Sequence, residues 1–165
     1  MKTNILAQQD IAFAESDYER LFMSLPAIKA ERLVGKCFDG RMLRTNRSPL
    51  DLAEWLFCRP ISYLGFGWGK RFLSEYRGDP LLFNWGKKVY VPLPTCGNVS
   101  LKDATYKGAT SALMSYDNYP WNDHFRVLEM SENNEQHMVL LGAWMIRDNM
   151  AGYFTLTYDP STPVE

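Results

Sequence analysis

The sequence predicts a mainly β protein with a minor α component: an antiparallel β-barrel, closed or nearly so, with short helices near the N-terminus. Three observations predict it. Helix signals fall in the first third of the chain, and from Trp68 onward the pattern changes to short alternating segments with turns between them. Aromatic residues reach 14% of a chain whose apolar content of 46% and charged content of 22% are ordinary for a soluble globular protein. A chain of 165 residues is long enough to bury a core. We expect one domain over 1–165, with an N-terminal helical part over about 16–66 and a strand-rich part over about 67–158.

The elements follow in order. Ser16-Asp17-Tyr18-Glu19 reads as a capping box, Leu21, Phe22 and Leu25 give the helix an apolar face, and Pro26 stops it. Cys37–Leu43 reads as a strand. Ser48-Pro49-Leu50-Asp51 combines a serine cap, a proline at the first helical position and an acid in the first turn, so a second helix is expected from Pro49 to about Phe57. Further strands are expected at Lys70–Leu73, Lys88–Val91, Val99–Ala104, Ala109–Tyr116, Phe125–Met130, Met138–Met145 and Tyr153–Tyr158. Thr110, Ala112, Met114 and Tyr116 share one face of their strand; Met138, Leu140, Gly142 and Trp144 share one face of theirs. Short polar connections at Ser131–Gln136 and Arg147–Gly152 make the last three strands an antiparallel meander, while Asp79-Pro80 and Pro92-Leu93-Pro94 read as loops. Such strands close a barrel that is either filled by side chains or holds one small ligand. A two-sheet sandwich fits the same pattern.

Composition narrows function. A net charge of −1 supplies no field for nucleic acid or an anionic membrane, so neither is expected as a partner. Cys37, Cys58 and Cys96 show no CxxC spacing, which argues against a disulfide scaffold or zinc site. The N-terminus lacks a signal-peptide core and no window holds 18 uninterrupted apolar residues, so a cytoplasmic location is expected.

Residues 115–126 concentrate the polar chemistry: Asp117, Asp123, His124 and Arg126 lie among aromatics. In an extended segment Asp123, Phe125 and Val127 share one side, and His124, Arg126 and Leu128 the other. His124 and Arg126 together would receive a ligand's carboxylate at a barrel mouth; alternatively Arg126 pairs with Asp117 or Asp123 as a structural polar cluster. Haem through His124 is a further alternative, although no second ligand stands at a recognisable spacing. Gly65-Phe66-Gly67-Trp68-Gly69-Lys70 lacks the phosphate-loop pattern and reads as a bend at a barrel corner, with Lys70 and Arg71 as a solvated or rim pair. Tyr116, Trp68, Met114, Met138, Leu140 and Trp144 are candidate lining of an apolar cavity. GxSxG is absent and neither histidine has a triad context, so no catalytic residue, metal or cofactor is assigned. An acid–base pair of Asp123 with His124 is the enzymatic alternative, and a filled barrel acting as an interaction module or homodimer is another.

An ordered set of motifs resembles the GXWXG family, whose members usually carry a companion C-terminal domain of unknown function. It comprises Leu25-Pro26, Leu33-Val34-Gly35, Gly67-Trp68-Gly69-Lys70-Arg71-Phe72, Asp79-Pro80-Leu81-Leu82-Phe83, Tyr106-Lys107-Gly108-Ala109, Ser111-Ala112-Leu113-Met114, Tyr116-Asp117 through Pro120 to Asp123-His124-Phe125-Arg126, Leu141-Gly142 and Tyr153-Phe154-Thr155-Leu156. The resemblance covers roughly residues 18–158. The name-giving motif here reads Gly35-Lys36-Cys37-Phe38-Asp39-Gly40, one residue longer than GxWxG, with Phe38 nearest the tryptophan. The resemblance implies a lipocalin-like barrel. With the alternating Met-rich and aromatic faces, it leads us to expect non-catalytic binding of a small hydrophobic or amphipathic, fatty-acid-like ligand.

Overall fold

Alternation in the sequence becomes, among the described residues, nine strands in one antiparallel sheet. The computed structural model describes residues 14–43, 66–85, 89–131, 134–158 and 160; the helix expected at 49–57, Cys58, Gly65 and Lys88 lie outside them. The strands are β1 (Lys36–Leu43), β2 (Phe66–Ser74), β3 (Arg77–Trp85), β4 (Val89–Pro92), β5 (Val99–Tyr106), β6 (Ala109–Tyr116), β7 (Trp121–Ser131), β8 (Asn134–Ile146) and β9 (Asn149–Tyr158). Their spatial order is β4-β3-β2-β1-β9-β8-β7-β6-β5. Among the described residues the strand order does not close on itself, so they form a rolled open sheet and not the closed form of the expected barrel. The β5 end meets the β2–β3 turn at a seam: Leu101 N–H in β5 donates to Glu75 O at 2.7 Å, and Asn98 accepts from Gly78 N–H and donates to Tyr76 O.

The register assigns faces. Phe38, Gly40, Trp68, Phe72, Met114, Asp123, Phe125, Leu140, Trp144, Phe154 and Leu156 point to the concave side. Rings need room there. A Cβ at Gly142 would overlap the Phe154 ring and one at Gly40 the Trp68 ring, so glycine lets both aromatics lie flat on the sheet. Phe38, Phe72, Phe125 and Phe154 form a chain of edge-on contacts at 5.9, 6.2 and 6.1 Å.

The convex side carries a second core. Helix α1 (Glu15–Ser24) lays Tyr18, Leu21 and Phe22 against Leu128, Val139, Leu141, Ala143 and Tyr153. It begins one residue before the expected capping box, because the Ala14 carbonyl already accepts from Asp17 and Tyr18 N–H. Leu25 leaves the helix in extended conformation (φ −84°, ψ 148°), as a residue before proline prefers.

The next residues enter the sheet. β6 and β7 pair over three positions, Leu113–His124, Met114–Asp123 and Ser115–Asn122, and then diverge. Pro26–Ile28 fills the gap: Val127 N–H donates to Pro26 O at 2.9 Å, and Ala112 N–H donates to Ile28 O at 2.7 Å. Ser111, 1% exposed, accepts Ile28 N–H at 2.8 Å and turns its hydroxyl proton between Phe125 O and Ile28 O.

One expected loop is a strand. Asp79-Pro80 lies inside β3, where the β2–β3 register shifts between Gly69 and Arg71. That irregularity accommodates the missing proline N–H.

Candidate functional site

Strand β2 alternates Trp68, Lys70 and Phe72, which sends Lys70 to the concave side between two aromatics. It is not the rim residue expected: Lys70 is 3% exposed. Its ammonium donates to Asp123 Oδ2 at 2.9 Å, to Tyr116 Oη at 2.6 Å and to Pro80 O at 2.8 Å. An ammonium has three N–H groups, and here each has an acceptor. The rings of Tyr116, Phe154 and Trp68 surround it, with centroids 5.0, 5.3 and 5.8 Å from Nζ. Arg71, on the other face, bonds Asp79 at 2.7 Å.

Asp123 is fully buried at the centre of this cluster. Its Oδ2 accepts from Lys70 and, at 3.0 Å, from the Tyr116 hydroxyl. Its Oδ1 is buried without a hydrogen-bond partner, and so is the indole N–H of Trp144. Those two residues are opposite one another in the β7–β8 register. Burial raises the Asp123 carboxyl above its ordinary range while Lys70 and Tyr116 oppose it. Burial, then the Asp123 charge, pushes the Tyr116 phenol well above its usual value, so it stays a protonated donor.

Trp121 packs edge-on to Tyr116 and Trp144 at 5.5 and 5.3 Å and stacks on Tyr119 at 4.3 Å, at the outer end of the cluster. In the other direction the concave surface continues onto β3 and β4. Phe83 is opposite Trp68, and Val91 opposite Phe83, so they share that face together with Trp85. Phe83, Val91 and Trp85 are 48, 54 and 59% exposed.

The structure separates the residues that the sequence grouped. Tyr116, Trp68, Met114, Met138, Leu140 and Trp144 do share the concave side, with Met114, Met138 and Leu140 completely buried. Asp123 joins them. Asp117 is exposed and stands apart.

Arg126 and His124 are on the convex side. Arg126 is 1% exposed; its guanidinium donates to Tyr106 O at 2.8 Å and Ala109 O at 3.2 Å and sits 5.1 Å from the Phe22 ring centroid. It caps the β5–β6 turn instead of pairing with an aspartate. His124 stacks on Tyr106 at 4.2 Å, and burial followed by the Arg126 charge lowers its pKa to about 4. Asp123 and His124 therefore face opposite ways and form no acid–base pair. Among the described residues no group of three or more His, Cys, Asp or Glu could hold a metal ion. Cys37 and Cys96 are both buried. A separate depression of about 570 Å³ follows the seam, lined by Lys29, Glu31, Glu75, Tyr76, Lys102 and Asp103; Lys29 and Asp103 bond one another there at 2.8 Å.

Fold and site together define a rolled antiparallel β protein with a lysine–aspartate–tyrosine cluster buried on its concave face. The family model of a domain of unknown function (DUF4334) matches residues 97–157, the stretch from just before β5 to the last residue but one of β9. A crystal structure of a protein from Thermomonospora curvata is similar in fold, with a TM-score of 0.68 and 24% identity over 94% of this chain and 93% of that one. No curated protein matches the chain. No described helix is long and apolar enough to cross a membrane.

Proposed function

We propose that the protein binds a small amphipathic molecule on the concave face of the rolled sheet. The apolar part lies along Trp68, Phe83 and Val91, and the polar part reaches Asp123. The observation that carries this reading is the buried Oδ1 of Asp123, an acceptor without a partner at the end of an apolar surface. Buried acceptors are ordinarily satisfied, and an unsatisfied one on a concave face that also carries exposed apolar side chains has the character of a ligand site. The GXWXG resemblance supports the same reading.

Native mass spectrometry of freshly purified protein tests it, followed by titration of tryptophan fluorescence with a panel of medium-chain alcohols, acids and amines. A co-purifying small mass, or saturable quenching, is the expected result. Absence of both would overturn the proposal.

A second reading has its own observation. Phe83, Trp85 and Val91 are exposed beside β4, a four-residue strand at one end of the sheet order. Exposed apolar patches of this kind can hold a second copy of a chain. A concentration-dependent dimer in light scattering that Val91→Lys abolishes would favour that reading.

A further inference from the structure

Resting on the binding reading above, we infer that the polar group accepted at Asp123 and Trp144 is an un-ionised hydroxyl, an alcohol or phenol, and not a carboxylate or an amine. The argument is an inventory of donors and acceptors. Among the described residues Lys70 is the cation paired with Asp123, and its three N–H groups are already engaged by Asp123, Tyr116 and Pro80. It has none to offer an incoming anion. Arg126 and His124, which would otherwise receive a carboxylate, are on the opposite side of the sheet. What remains on the concave face, among the described residues, is one acceptor, Asp123 Oδ1, and one donor, Trp144 Nε1–H, both buried and without partners; the third such atom, Arg126 Nε, is on the convex side.

Asp123 and Trp144 occupy opposed positions on neighbouring strands, so their side chains stand next to each other on the concave face. A carboxylate satisfies the indole and sets its charge against Oδ1. An ammonium satisfies Oδ1 and sets its charge against the indole N–H, with Lys70 on the same carboxylate. A hydroxyl donates to Oδ1 and accepts from Nε1–H through a single atom.

The test uses three probes of equal chain length, dodecanol, dodecanoate and dodecylamine, each titrated below its aggregation limit near neutral pH. Wild type is expected to bind dodecanol at least roughly tenfold more tightly than either ionised probe, because each of those leaves a buried polar group unmatched. Trp144→Phe, which keeps the ring and removes the donor, is expected to erase most of that preference with little change in melting temperature. Asp123→Asn is expected to raise dodecanoate affinity, since its amide donates where the carboxylate repelled. Dodecanoate binding as tightly as dodecanol, or an unchanged preference in Trp144→Phe, would overturn the hydroxyl assignment and leave the binding proposal standing. If none of the three probes binds, the binding proposal has failed and this inference fails with it.

Discussion

Lys70 shows how much one side chain can hold. Its charge is balanced by Asp123, its remaining N–H groups donate to Tyr116 and Pro80, and its ammonium lies among three aromatic rings. Removing one partner of such a pair strands the other charge in a buried site. Lys70→Met is therefore expected to cost about 3–5 kcal/mol in urea denaturation. Lys70→Met combined with Asp123→Leu should recover most of that loss; a double variant as unstable as the single one would show that packing, not charge, is at stake. His124 gives a pH dependence. Its folded pKa is about 4, below the ordinary 6.5, so the unfolded chain takes up a proton that the folded protein refuses. Stability from this group is complete above pH 6.5 and is lost as pH falls toward 4. His124→Gln should flatten the drop in melting temperature over that window. Asp123, raised by burial, acts with the opposite sign as acid is added, so the difference between wild type and variant isolates the histidine. The sequence hid Lys70 within a glycine-rich run. The alternation Trp68, Lys70, Phe72 was the available signal. Asp123 and His124 were correctly read onto opposite faces, but which face turns inward was not readable, because β7 is buried on both sides.

Among the elements, the turns are the most local and the most adjustable. Lys107 and Gly108 between β5 and β6 have φ of 49° and 80°, and Arg147 and Asp148 between β8 and β9 have 47° and 66°. Both central residues in the left-handed region make a tight hairpin turn, which Asn-Gly suits best. Arg147→Asn with Asp148→Gly should stabilise the protein by about 0.5–1 kcal/mol, read as a rise of about 2–3 °C in melting temperature. The turn's hydrogen bond from residue 147 N–H to Pro120 O is main-chain and survives the change. Alternation located every strand of the final meander, and β6 was placed at its observed ends. It missed β3, because Asp79-Pro80 carries a loop signal that only the register shift against β2 overrides. It also expected the first helix to start at Ser16, where a cap is chemically available but the chain's entry angle uses Ala14 instead.

For the whole molecule, faces were legible and closure was not. Alternation reports which residues share a side; whether a sheet shuts depends on tilt, register shifts and what meets at the seam. Here the β5 end meets the β2–β3 turn through Leu101 and Asn98 instead of a paired strand. The inserted segment 26–28 has a consequence for where independent folding can begin. The region matched by the domain model, 97–157, contains β5 through β9, but two of its needs are met from upstream: Pro26–Ile28 satisfies main-chain groups of Ala112 and Val127, and β1 hydrogen-bonds along β9. Excised, that piece would present two raw main-chain edges to solvent. The matched stretch is thus completed, in its main-chain hydrogen bonding, by residues that precede it.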